Sequence, residues 1–183
     1  MRWPIYQASQ ILQSSGVIAY PTETVWGIGC DPSNSSALNR VINLKQRDAH
    51  KGLILIAGDI KQFDFLLHDL PIEQKIKLQN SWPGAVTWLV PHKNRVHPLV
   101  HGQFSTVAIR VSSHKMVRDL CAQFNGPIVS TSANLAGQAT IQNAIQAMKF
   151  LGHDLDFVLQ GPLGAASAPS RIIDLQTGRI IRN

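Results

Sequence analysis

A chain of 183 residues is long enough to bury a substantial core and short enough to do so as one domain. Charged residues at 15% and hydrophobic residues at 44% exclude a disordered chain. Lys and Arg number 17 against 11 Asp and Glu, and the formal charge of +6 favours polyanionic partners such as nucleotides, RNA or anionic surfaces. The cysteines, Cys30 and Cys121, are far apart and lack CxxC spacing. That argues against a thiolate zinc site or a disulfide framework and suits a reducing compartment. No basic-plus-apolar leader and no apolar run of bilayer length occurs, so a soluble, cytoplasmic protein without a membrane partner is expected.

Helical spacing over Pro4–Gln13 puts Ala8, Ile11 and Leu12 on one face, with Gly16 as the stop. Val17–Tyr20 reads as a strand, halted at Pro21. Thr22-Glu23-Thr24 and the glycine-punctuated Trp26-Gly27-Ile28-Gly29 then read as a turn or as the mouth of a site. Ser35 or Ser36 is expected to cap a helix through Leu38, Val41, Ile42 and Lys45. Leu53–Ala57 is an apolar run typical of a strand covered on both faces. Asp59 is expected to cap a helix carrying Phe63, Leu66 and Leu67, and another follows Pro71 with Ile72, Ile76 and Leu78.

Val86–Val90 and Val107–Val111 read as strands, Met116–Phe124 as an amphipathic helix and Pro127–Ser130 as a short strand. Thr140–Leu151 reads as a helix and Phe157–Gln160 as a strand, and Arg171–Leu175 with Arg179–Arg182 forms a hairpin around Gly178. The sum is a single α/β domain over 1–183, with parallel and antiparallel pairing in one sheet and flanking helices.

Neither a P-loop nor GxGxxG at a strand–helix turn is present, so bound phosphates would be met largely by side chains. Lys45-Gln46-Arg47-Asp48-Ala49-His50-Lys51 concentrates cations at a helix end. It suits either a triphosphate or the negative end of the helix dipole. Ser130-Thr131-Ser132-Ala133-Asn134 places hydroxyls and an amide at a strand end, a binding edge or a self-capping turn. Ser132 has no GxSxG context and no Ser-His-Asp order, which disfavours a nucleophile. Arg110 lies mid-strand among apolar residues and needs an anion, from either a structural ion pair or a bound carboxylate. Ser170 stands beside Pro169 at another strand start. The histidines lack HExxH or i,i+4 pairing, against a protein-built zinc site, and Trp82 and Trp88 read as core residues.

In this order YPTETVWGIGCD, KQRDAHKGLILIA, SWPGAVTWLV, STVAIRV, PIVSTSANLAGQAT and PSRIID resemble the motifs of the YrdC family of threonylcarbamoyl-AMP synthases, TsaC-type in bacteria. The resemblance runs from about Gly16 to Arg182 and ends where the short, single-domain form ends. It implies a twisted YrdC-like sheet with a broad, positively charged concave face. It also implies a reaction in which L-threonine, bicarbonate and ATP, the last with Mg²⁺, give threonylcarbamoyl-adenylate and pyrophosphate. The threonylcarbamoyl group would pass to adenosine 37 of tRNAs reading ANN codons, with TsaD, TsaB and TsaE in the same pathway and tRNA contact on the basic face left open.

By the same resemblance Thr22, Arg110 and Ser170 hold threonine, with Arg110 near its carboxylate. Lys45 and Arg47 carry the catalytic charge neutralisation and, with Lys51, face the phosphates. Thr106, Ser130, Ser132, Thr140 and Arg182 contact the nucleotide. The chain departs from the family's pattern at Asp48, where proline is usual, and at Trp26, where tyrosine or phenylalanine is commoner. Ile56 stands where longer relatives carry a threonine-contacting histidine, and Arg171 where many have threonine. The role of Glu23 stays open. The alternatives are a non-catalytic RNA-binding module and a related enzyme using carbamoyl phosphate.

Overall fold

The computed structural model describes residues 3–134, 139–166 and 168–183. Its elements are α1 (Trp3–Gln13), β1 (Ile18–Pro21), β2 (Trp26–Gly29), α2 (Ser35–Leu44), β3 (Ile54–Ala57), α3 (Asp64–Leu67), α4 (Ile72–Ser81), β4 (Val86–Pro91), α5 (Pro98–His101), β5 (Thr106–Val111), α6 (Lys115–Phe124), β6 (Ile128–Ser132), α7 (Ala144–Leu151), β7 (Phe157–Val158), β8 (Arg171–Asp174) and β9 (Ile180–Arg182). The strands form one mixed sheet in the order β7-β1-β2-β6-β3-β5-β4-β8-β9. Among the described residues β1–β7, β3–β5 and β4–β8 pair in parallel and the other neighbours antiparallel. The mixed α/β sheet expected from the sequence is therefore present.

Strand alternation divides the side chains between two cores. On one face Ala19, Ile28, Leu55, Val107, Ile109 and Val129 pack under Leu38 and Val41 of α2, Leu78 of α4 and Ala147 of α7. On the other, Ile18, Tyr20, Ile56 and Ile128 pack under Ala8 and Leu12 of α1 and Val117 and Leu120 of α6. These two helices cover only part of that second face. Beyond them Ile54 of β3, Ala108 of β5 and Leu89 of β4 lie side by side in register and line an open cleft.

Several expectations change at element ends. Trp26–Gly29 is a strand rather than a loop, because its backbone pairs with both β1 and β6. Asn34, not Ser35 or Ser36, caps α2, its Oδ1 accepting from the Ala37 N–H at 2.9 Å. The Asp59 cap starts a 3₁₀ turn, Ile60–Phe63, before α3. Of the α4 residues named, only Leu78 is buried, while Ile72 and Ile76 are 69% and 46% exposed. The last long helix begins at Ala144 because Asn143 caps it, accepting from the Gln146 N–H. At the end of α1 it is Ser15 that takes the left-handed conformation, at φ 67°. Gly16 is needed for space instead, since a Cβ there would fall 2.3 Å from Ile11 Cγ2. The short turns at Ala49–Lys51 and Pro98–His101 carry too few residues for periodicity to reveal them.

Candidate active site

The cleft encloses about 670 Å³ on the uncovered face of the sheet. One wall is the loop between β1 and β2. Thr22 donates both its N–H and its Oγ1 hydrogen to Val25 O, at 3.2 and 2.7 Å, which closes the turn and fixes the Thr22 side chain. The buried Tyr20 ring lies over β2, its hydroxyl donating to Val129 O at 3.2 Å. That position requires Gly29, where a Cβ would meet Tyr20 Cε1 at 2.8 Å and Val129 O at 2.4 Å. Gly164 closes on the loop from the other side, its N–H donating to Thr22 O.

Glu23 joins this loop to β5. Its Oε2 accepts from Arg110 Nη2 at 2.7 Å, and Oε1 accepts from Ser112 Oγ at 2.7 Å and Ser113 N–H at 3.0 Å. Burial pushes the Glu23 carboxyl up, but the Arg110 charge and these hydrogen bonds outweigh it and hold the group below its ordinary value of 4.5. Arg110 therefore has a structural anion and also lines the cleft. Arg182 of β9 lies close by. Its Nη2 donates to Ser170 O at 2.7 Å, and Ser170 Oγ shares a 2.8 Å hydrogen bond with Thr87 Oγ1. Burial, then the Arg110 charge, lowers the Arg182 pKa, as expected for a partly buried cation beside a second one. The surplus positive charge suits a small carboxylate.

The opposite end is built at the terminus of α2. Gln46 turns left-handed at φ 47°, and the Arg47 N–H reaches back to Ile42 O at 3.0 Å. The chain then reverses and Arg47 points into the cleft, with Nε donating to Gly52 O at 3.1 Å and Nη2 to Lys51 O at 3.3 Å. Asp48, in the family's proline position, has φ −62°, a value that proline also adopts, and its carboxylate caps the Ala49–Lys51 turn through His50 N–H. Gly52 takes φ 60°, and a Cβ there would strike Val100 O at 2.8 Å. Between the two ends run the hydroxyls of Thr106, Ser130, Ser132 and Thr140.

Of the residues singled out from the sequence, Thr22, Arg47, Lys51, Thr106, Arg110, Ser130, Ser132, Thr140, Ser170 and Arg182 line this cleft together. Lys45 stands behind its wall. Its Nζ donates to the carbonyls of Ser132 and Asn134 and to Asn134 Oδ1, and it is 5% exposed. Burial and the nearby Arg47 charge draw its pKa down to about 8. The STSAN segment is also less of a turn than expected, since β6 continues through Ser132 and pairs with Gly27. The remainder of the PIVSTSANLAGQAT motif at 135–138 lies outside the described residues.

Ile56 is buried in the wall, directly across from Arg110 in the β3–β5 register. The departure there puts an apolar surface beside the guanidinium. Ile172 and Asp174 of β8 line the cleft, so alternation turns Arg171 to the opposite face, away from Ser170. Trp26, Trp82 and Trp88 are buried in the first core. Sequence reasoning left Glu23 open and missed Thr87 and His101, both of which line or brace the cleft. Alternation along Val86–Val90 pairs Thr87 with Leu89 and was the available signal for Thr87. Among the described residues no three His, Cys, Asp or Glu gather as metal ligands, and no helix is long and apolar enough to cross a membrane.

Known proteins share both the sequence and the shape. The family model Sua5/yciO/yrdC, described as "Telomere recombination", matches residues 10–183. A threonylcarbamoyl-AMP synthase of Saccharophagus degradans is 52% identical over 96% of this chain and 92% of its own. One of Stutzerimonas stutzeri is 46% identical over 98% and 97%. The structure of P. abyssi Sua5 complexed with L-threonine superposes with a TM-score of 0.90 at 26% identity, covering 98% of this chain and 53% of that one. This chain thus spans about half the length of the P. abyssi protein. E. coli YciO shares the fold, with a TM-score of 0.85 at 24% identity over 98% of this chain and 88% of its own. With nearly the whole chain matched, a cleft assembled from the family's motifs and relatives near half identity, this protein belongs to the Sua5/YciO/YrdC family.

Proposed function

We propose that the chain is a threonylcarbamoyl-AMP synthase, an adenylyl-transferring enzyme that converts L-threonine, bicarbonate and ATP into threonylcarbamoyl-adenylate and pyrophosphate. The observation that carries this reading is a single cleft with two ends of matching chemistry. The Arg110–Glu23 pair with Ser170 and Thr22 suits an amino-acid carboxylate and hydroxyl, and Arg47 with Lys51 suits a triphosphate. Relatives named threonylcarbamoyl-AMP synthase and a relative's complex with L-threonine support it.

The chemistry asks the protein for positioning and charge neutralisation, not for a nucleophile. Threonine's amine and bicarbonate lose water to form N-carboxythreonine, and its new carboxylate attacks the α-phosphorus in line as pyrophosphate departs. Arg110 and Ser170 orient the amino acid, and Thr22 closes the pocket above it. Arg47 and Lys51 hold the phosphates, with Lys45 at the rear of the wall positioning Ser132. Thr106, Ser130, Ser132, Thr140 and Arg182 contact the nucleotide. Mg²⁺ bound with the triphosphate would add charge neutralisation to that of Arg47 and Lys51.

The product suits transfer to adenosine 37 of tRNAs reading ANN codons by TsaD with TsaB and TsaE, in the cytoplasm. The test is pyrophosphate release with threonine, bicarbonate and ATP omitted in turn. Release that needs all three supports the reading, and release indifferent to threonine or bicarbonate overturns it. Turnover with carbamoyl phosphate replacing bicarbonate and threonine would point to the related carbamoyl-adenylating reaction. RNA binding without pyrophosphate release would point to a non-catalytic module.

A further inference from the structure

His101 belongs to none of the family motifs, yet it lines the cleft with Arg47, Lys51 and Thr106. Its ring stacks on that of His92, with centroids 3.9 Å apart and planes inclined by 13°. His92 is a fixed platform. Its Nε2 meets Phe104 O at 3.1 Å, which only an N–H can satisfy, and its Nδ1 then accepts from the Asn94 N–H at 3.1 Å. Burial, then the His101 ring, lowers the His92 pKa and favours this neutral form. One ring face of His101 is thereby covered.

The ring nitrogens of His101 are not equivalent. Nδ1 is buried and has no hydrogen-bond partner among the described residues. A buried N–H without an acceptor costs about 1–3 kcal/mol, so the proton belongs on Nε2 and the bare nitrogen on the buried side. Nε2–H is left as the donor that a ligand can meet. Its position is set by the same packing that aims Arg47. A Cβ on Gly52 would lie 3.1 Å from His101 C, and Gly52 O is the acceptor that holds Arg47 Nε. The Leu53 N–H to Val100 O and Gln103 N–H to His50 O hydrogen bonds lock the two segments together.

We infer that His101 is a further phosphate-binding residue, its Nε2–H donating to the terminal phosphates of the bound nucleotide alongside Arg47 and Lys51. This inference rests on the nucleotide reading of the cleft. Stacking makes the donor pre-oriented, unlike a lysine whose reach is fixed only on binding.

The test is isothermal titration of pyrophosphate, ATP and AMP into wild type, His101→Ala and His101→Gln. Glutamine can place an amide donor near the position of Nε2. His101→Ala is expected to weaken pyrophosphate and ATP about tenfold to a hundredfold, the scale of one hydrogen bond to a charged group, and to leave AMP unchanged. His101→Gln is expected to recover most of the loss, which a merely structural role for the ring would not give. Unchanged pyrophosphate affinity in His101→Ala, with wild type binding normally, overturns the inference alone. Equal weakening of AMP also overturns it, because the ring would then serve the nucleoside or the fold. Wild type that binds neither pyrophosphate nor ATP overturns the nucleotide reading itself.

Discussion

Glu23 and Arg110 are 87 residues apart in the chain and 2.7 Å apart in space, a buried ion pair that ties the β1–β2 loop to the end of β5. Removing one partner of such a pair leaves the other charge desolvated, at a cost of about 3–5 kcal/mol. Glu23→Ala should therefore lower the urea midpoint by that measure and weaken threonine use, because Arg110 and Thr22 both lose their brace. Arg110→Ala leaves Glu23 with Ser112 and Ser113 and should remove threonine-dependent turnover even where folded protein is recovered. An unchanged urea midpoint for Glu23→Ala would falsify the bracing role.

The same pair sets an acid limit. The folded Glu23 carboxyl titrates below the ordinary 4.5, so the unfolded chain binds the proton first as pH falls. Its contribution is complete above about pH 4.5 and is lost as pH drops through the lowered folded value. Urea titrations from neutral pH down to about pH 3 should show Glu23→Gln less stable at neutral pH but with a shallower acid slope than wild type. Parallel slopes would mean that other carboxylates govern acid unfolding.

Lys45 and Arg47 should separate. Arg47 faces the cleft with only backbone carbonyls holding it, so Arg47→Ala should cut pyrophosphate release strongly while moving the thermal midpoint little. Lys45 instead ties α2 to the end of β6, and Lys45→Ala abandons the carbonyls of Ser132 and Asn134. About 1–3 kcal/mol of stability should go with its activity. From the motif alone both variants should spare the fold, and burial of the Lys45 side chain changes that expectation for one of them. Thermal melts beside single-turnover rates decide it.

Gln46 offers the opposite sign. It takes a left-handed conformation at φ 47°, which costs a side-chain-bearing residue about 1–2 kcal/mol relative to glycine. Glycine's greater freedom in the unfolded chain offsets part of that. Gln46→Gly should raise the melting temperature by roughly 2 °C, with turnover retained since Gln46 is not among the cleft residues. A lowered midpoint would show that the Gln46 side chain makes a compensating contact.

What the sequence determined by itself was the local pattern. Leu53–Ala57 and Val107–Val111 announce central strands because every residue is apolar or held between apolar neighbours, and that pattern needs no knowledge of the rest of the chain. The side chains that line the cleft were named through the resemblance of the ordered motifs to the YrdC family, and not by local spacing. Tertiary structure decided the pairings. Trp26–Gly29 has too many glycines to look like a strand, and only β1 and β6 on either side make it one. Whether Arg110 answered to a protein carboxylate or to a ligand could not be read from its strand, since the answer lies on a loop 87 residues earlier. Lys45 and Arg47 are two positions apart and alike in charge, yet the left-handed turn at Gln46 sends one behind the wall and the other into the cleft. Contacts between distant segments depend on how the sheet brings strands together, and no local spacing encodes that order.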